Sequence, residues 1–238
     1  MPSRISTFVL GANDHQAIQC LGLDWSADPG AWHLHAQTFS SAHDKAHANR
    51  YHRPEDALRH LLGRSLLRQL MRHRYPDAPN PSDWPRDANG KPVSPVPELH
   101  FSISHSGHQV WLAWCTVAAI GIDVEWLQGI PEPTELLDSL HQNEKSVLQS
   151  LPNEQMQTAF TRCWCRKEAI SKAVGLGLAL PLDVFEVDPL ADRANWLRCP
   201  PPGSTTHWTC TDLPLSPDYQ LSLAANAPNM RLRYQLLI

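Results

Sequence analysis

The 238-residue sequence predicts an α+β protein in two halves, each offering a helix and a few strands. Three observations carry this. Leu58, Leu61, Leu62, Leu66 and Leu70 repeat at helical spacing after Pro54. Three short apolar runs between residues 99 and 126 have strand length. A second helical run over 154–174 is followed by further strand-like segments. A chain of this length can bury one large core or two smaller ones.

Taken in order, Ile5–Leu10 reads as a first strand and not as a signal peptide, because it is short and lacks a small-residue cleavage pattern. Trp32, Leu34 and Ala36 alternate with His33, His35 and Gln37, which predicts a half-buried strand. The segment 45–53 is polar and basic. Pro54 suits the first position of a helix, with Glu55 and Asp56 favourable at its positive end, and this helix is predicted to end before Pro76. Residues 75–97 hold seven prolines and are excluded from regular helix or central strand; within them Asp87-Ala-Asn89-Gly90-Lys91-Pro92 is a turn signal. Leu99–Ser104, Val110–Thr116 and Ile120–Trp126 are predicted strands. In the second half, helices are predicted over about 135–151 and 154–174, the latter capped by Gly175. Strands are predicted at Pro181–Val187, Tyr219–Ala225 and Arg231–Leu237. The division falls near 117–119, giving subdomains 1–118 and 119–238.

A formal charge of −4 argues against a general nucleic-acid binder. Seven arginines against two acids between Arg50 and Arg74 instead suggest one local anion site. No apolar run reaches the length of a membrane-spanning helix. The six cysteines are scattered, and Cys163 and Cys165 have no common zinc spacing, so they are expected as free thiols in a reducing cytoplasm.

The chemistry-bearing residues fall in four segments. Asp123 and Glu125 are two apart, so on a strand they share a face, and Gly121 before them permits close backbone approach. Glu168 and Lys172 are four apart, so on a helix they share a face, with Trp164 one turn earlier. Three carboxylates and an amine suit a divalent cation held against phosphate. Gly90-Lys91-Pro92 sits in a turn, and Ser104-His105-Ser106-Gly107 follows a strand, where backbone N–H groups and His105 can meet phosphate oxygens.

With Arg59, these segments resemble the 4′-phosphopantetheinyl transferases of the larger, monomeric Sfp-like type. The motifs are Gly90-Lys91-Pro92, Phe101-Ser-Ile-Ser104-His105-Ser106-Gly107, Gly121-Ile-Asp123-Val-Glu125 and Trp164-Cys-Arg-Lys167-Glu168-Ala-Ile-Ser-Lys172. The resemblance implies two similar halves related by a pseudo-twofold, with coenzyme A in the cleft between them. It implies transfer of the phosphopantetheine arm of coenzyme A to a serine of an apo acyl or peptidyl carrier protein, releasing adenosine 3′,5′-bisphosphate. Asp123, Glu125 and Glu168 would hold Mg²⁺, with Glu168 a candidate base and Lys172 on the pyrophosphate. His105 and Ser104 would bind a phosphate of coenzyme A. Gly90, Lys91 and Pro92 would line its adenine end, and Arg59 would face its 3′-phosphate, aided by some of Lys45, His47, Arg50 and Arg53. A monomeric cytoplasmic enzyme is implied, with no nucleic-acid or membrane partner. Two rival readings use the same residues: a Mg²⁺-dependent phosphodiesterase or phosphatase, and a non-catalytic carrier-protein-binding module.

Overall fold

The computed structural model describes residues 17–88, 90–129, 136–204 and 207–238. They fold as two units, one formed by residues up to 117 together with 231–238, the other by 118–230. The last predicted strand therefore belongs to the first unit, not to a 119–238 subdomain. The expected strand at Ile5–Leu10 lies outside the described residues.

The first unit is a four-stranded sheet of order β2-β3-β1-β9. Strand β1 (Ala17–Asp24) is buried along nearly its whole length. It pairs antiparallel with β3 (Gln109–Cys115) and parallel with β9 (Arg231–Leu237), while β2 (His100–Ser106) pairs antiparallel with β3. This in-register pairing with β1 is what draws the C-terminal strand back to the first unit. Because both of its faces are covered, β1 shows none of the alternation by which a half-buried strand is recognised.

The segment expected as a strand around Trp32 is instead helix α1 (Pro29–Phe39). Asp28 caps it by accepting from the Ala31 amide at 2.9 Å, and Pro29 starts it. Its buried residues are Trp32, His35 and Ala36, a helical spacing, whereas Leu34 is 69% exposed. The alternation of apolar and polar residues was accidental. The basic stretch after it also contains a helix, α2 (Ala42–Ala48), started by a reciprocal capping box between Ser41 and Asp44. Helix α3 (Pro54–Arg74) runs as predicted and buries its leucine stripe against β2 and β3. Arg64, one of the seven arginines read as a local anion site, is buried and ion-paired to Asp44 at 3.0 Å.

The second unit lays one long helix over a three-stranded antiparallel sheet of order β4-β8-β7. Its strands are β4 (Ile120–Trp126), β8 (Tyr219–Ala225) and β7 (Thr209–Asp212). Helix α4 (Gln142–Gln149) is shorter than the predicted 135–151 run, because a second capping box, His141 with Glu144, fixes its start. Helix α5 (Asn153–Val174) ends where Gly175 takes φ +84°. The expected strand over 181–187 is a 3₁₀ turn, Leu182–Val184, followed by a two-residue strand, β5 (Glu186–Val187), paired with β6 (Leu197–Cys199). All six thiols are free, and five of them are buried. No helix among the described residues is long and apolar enough to cross a membrane.

One contact fixes how α5 meets β4. A Cβ on Gly121 would stand 2.0 Å from the Ala169 carbonyl oxygen and 2.6 Å from the Ala173 amide nitrogen. Strand and helix touch backbone to backbone, and only glycine fits. Gly121→Ala is expected to lower the unfolding free energy by about 1–3 kcal/mol or more, read as a drop in urea midpoint. An unchanged midpoint would mean the approach is looser than described.

His35 gives a second test. It is 5% exposed, between Trp32 and Phe39, and burial lowers its pKa from the ordinary 6.5 to about 4. The Gln69 side-chain amide lies 3.0 Å from its Nε2. The unfolded chain binds more protons between those two pKa values, so this contribution is intact above the higher and lost as pH falls toward the lower. The loss is on the order of 3 kcal/mol. His35→Gln is expected to flatten that part of the stability–pH curve; an unaltered slope would show that His35 is not buried neutral.

Candidate active site

Asp123 and Glu125 point to one face of β4, as the alternation of a strand requires. Asp123 is buried, whereas Glu125, nearer the strand end, is half-buried. On α5, Glu168 and Lys172 occupy neighbouring turns of one face and are partly exposed. The Gly121 contact brings the two faces together. Lys172 Nζ lies 2.6 Å from Asp123 Oδ1. Burial works against the charge on Lys172, but Asp123, Glu168 and Glu125 outweigh it and raise its pKa. The carboxyl of Glu168 is also raised, first by burial and then by the charge of Asp123, with Lys172 opposing. One ammonium is thus set among three carboxylates.

The expected grip of Asp123, Glu125 and Glu168 on one ion is not assembled as such. Among the described residues no group of three or more His, Cys, Asp or Glu side chains is arranged to hold a metal. Lys172 occupies an oxygen of Asp123 instead. The residues of α5 just before Glu168 are structural. Lys167 is fully buried, 2.7 Å from Glu144 Oε1, and donates to the carbonyls of Leu182 and Phe185 at 2.6 and 2.8 Å. Arg166 is equally buried and grips Asp212 at 2.5 Å. Cys165 donates its thiol to the Asp123 carbonyl at 3.0 Å, a further tie between helix and strand. Trp164 stacks on Phe160, their ring centres 6.1 Å apart.

The first unit carries a separate cluster of cationic groups. Arg59 Nη1 donates to the Gly107 carbonyl at 2.8 Å, tying α3 to the turn between β2 and β3, and its other nitrogen pairs with Asp56. His105 and Ser104 precede that turn on β2; His105 is exposed and Ser104 buried. The Gly90-Lys91-Pro92 segment is a turn, with Gly90 at φ +81° and the Lys91 amide donating to Asp87 Oδ1 at 2.9 Å. Arg86 bridges to Pro92 across it and donates to the Gly90 carbonyl at 2.6 Å.

Sequence reasoning did not pick out His60 or Arg86. The rings of His47 and His60 stack at 4.7 Å, with Tyr51 beside both. Burial lowers the pKa of His60 to about 4, helped by the charges of His47, Arg64 and His105. The pKa of His47 is lowered by burial and then by Arg50, Arg86, His43 and Arg64. Residues from α2, α3, β2 and the glycine turn therefore share one basic neighbourhood. Lys45 is half-buried in the last turn of α2, and Arg53 is exposed at the start of α3. The Ser41-x-x-Asp44 capping pattern was the available signal that α2 exists and presents His47.

The family model of the 4′-phosphopantetheinyl transferase superfamily matches residues 119–224. That of the 4′-phosphopantetheinyl transferase N-terminal region matches residues 23–117. The 4′-phosphopantetheinyl transferase ffp of Bacillus subtilis is 32% identical over 81% of this chain and 84% of its own length. The transferase Sfp of Bacillus subtilis strain 168 is 30% identical over 81% and 84%. The transferase HetI of a Nostoc species is 36% identical over 58% and 61%. Two family models that between them cover both sets of site segments, and relatives matched over most of their length, establish that the chain belongs to the 4′-phosphopantetheinyl transferase superfamily.

Proposed function

We propose that this chain moves the 4′-phosphopantetheine arm of coenzyme A to a serine hydroxyl of an apo acyl or peptidyl carrier protein, with Mg²⁺ at the carboxylate cluster. The observation that carries the reading is the set of Asp123, Glu125 and Glu168 around the single ammonium of Lys172. Three carboxylates against one amine leave an excess of negative charge that a divalent cation would neutralise. Mg²⁺ prefers hard oxygens and fills most of its shell with water and phosphate, so Asp123 and Glu168, with Glu125 beside them, fit it. Bound there, it would neutralise charge on the pyrophosphate.

In the transfer, the serine oxygen forms a bond to the phosphorus that bears pantetheine, and the bond from that phosphorus to the bridging pyrophosphate oxygen breaks. Adenosine 3′,5′-bisphosphate leaves with the bond electrons. Glu168, on the face of α5 turned toward the carboxylate cluster, is placed to take the serine proton, directly or through a water. Lys172, with its raised pKa, stays charged and stabilises the leaving phosphate. In the first unit, Arg59, His105, Ser104 and Lys91 with Gly90 and Pro92 supply the binding groups for the nucleotide phosphates and adenine. The enzyme acts as a cytoplasmic monomer, in keeping with its six free thiols.

Incubation with Mg²⁺, coenzyme A and an apo carrier protein is expected to add one phosphopantetheine arm to the carrier by intact mass, and to fail with a chelator. Glu168→Gln is expected to reduce transfer by at least about 100-fold with an unchanged melting temperature. Full transfer by that variant would remove Glu168 as the base. Loss of pantetheine phosphate from coenzyme A without a carrier would replace transfer by hydrolysis.

A further inference from the structure

A cavity of about 350 Å³ opens in the second unit between α5, residues 190–193 and residues 212–217. Arg162, Arg166 and Arg193 line it, with Asp192 and Asp212. Three guanidinium groups thus meet two carboxylates. The charge of Arg166 is already matched: it holds Asp212 and the carbonyls of Asp188, Ala191 and Asp192. Asp212 also accepts from the Ser222 hydroxyl at 2.8 Å.

The other two arginines are differently placed. Arg162 is half-buried, and its one hydrogen bond among the described residues is a long contact of 3.3 Å to the Pro189 carbonyl. It forms no ion pair among those residues. Burial and the neighbouring charge of Arg166 lower its pKa, against the opposing pull of Asp212 and Asp192. Arg193 is exposed at the cavity, and no side-chain hydrogen bond or ion pair engages it among the described residues. A half-buried guanidinium repelled by its neighbour and short of acceptors is costly unless an anion completes it. Two guanidinium forks at one cavity match the oxygens of a phosphate, each able to donate two parallel hydrogen bonds.

We propose that this cavity is a second anion site, in which Arg162 and Arg193 bind a phosphate group, carried by the free ion or by a small phosphomonoester. Helical periodicity sets Arg162 and Arg166 on a different face of α5 from Glu168 and Lys172. Occupancy of this site therefore does not depend on the transfer reading.

The test uses the full chain in phosphate-free buffer, with Arg59→Ala and Lys91→Ala introduced together to remove two cations assigned to coenzyme A. Calorimetric titration with inorganic phosphate is expected to show one saturable site, weakened at least tenfold by a further Arg162→Ala or Arg193→Ala. Arg193 is exposed, so its replacement does not threaten the fold. Absence of saturable binding, or equal binding in both further variants, would overturn the proposal. Glycerol phosphate run in parallel identifies the source: tighter binding than phosphate supports an ester, and equal binding supports the free ion. Failure of the double-variant parent to bind phosphate while the unaltered chain transfers phosphopantetheine would refute this site and leave the proposed reaction standing.

Discussion

The geometry of the second unit depends on the absence of one methyl group. At Gly121 the backbone of β4 runs against the backbone of α5, so close that any side chain would overlap the Ala169 carbonyl. An ordinary helix–sheet contact is mediated by interlocking side chains and holds the layers about 10 Å apart. Removing that spacer lets a short carboxylate, Asp123, reach the ammonium of Lys172 at 2.6 Å. It also puts Asp123 near enough to Glu168 for each charge to oppose the other. Charges so placed must be compensated, by Lys172 in this structure and by a divalent cation in the proposed reaction.

The helix that meets this strand is anchored by cations it does not present to a substrate. Successive residues on a helix point about 100° apart. Arg166 therefore reaches Asp212, Lys167 reaches Glu144, and Glu168 faces the carboxylate cluster. Burying an ion pair is expensive and adds little net stability, yet breaking one costs several kcal/mol. Such pairs penalise any rotation or slip of α5 that would separate the partners. Glu144 has a further duty, capping α4 through the His141 amide and holding the Val187 amide. The polar groups buried beneath α5 thus fix the direction in which Glu168 and Lys172 project.

Elements marked by an apolar stripe or an unbroken apolar run were readable from the sequence, and elements with polar residues or glycine buried inside them were not. The leucine stripe of α3, the strand β4 and the long α5 follow simple periodicities, and all three appear nearly as expected. Strand β1 is covered on both sides and carries Gln19 and Gly22 inside it, so no alternation marks it. In α1, Trp32 and Ala36 satisfy a period of two and of four alike, and only the Asp28-Pro29 start resolves the ambiguity. The carboxylates and Lys172 were legible because strand and helix spacing each set two of them on one face. The roles of Lys167 and Arg64 were not, since a buried cation looks like a solvated one until its partner, remote in sequence, is located. His47 was among the candidates, but its stacking on His60 was hidden for the same reason, the two lying thirteen residues apart on different helices.

The central claim is that β4 and α5 together make a site for one divalent cation. Titration of the full chain with Mn²⁺, followed by the loss of its free electron-spin resonance signal in the presence of adenosine 3′,5′-bisphosphate, tests this directly. The account expects one bound ion per chain, with affinity falling at least tenfold in Asp123→Asn and recovering none of it at raised pH. Binding of equal strength in Asp123→Asn and in the unaltered chain would contradict it.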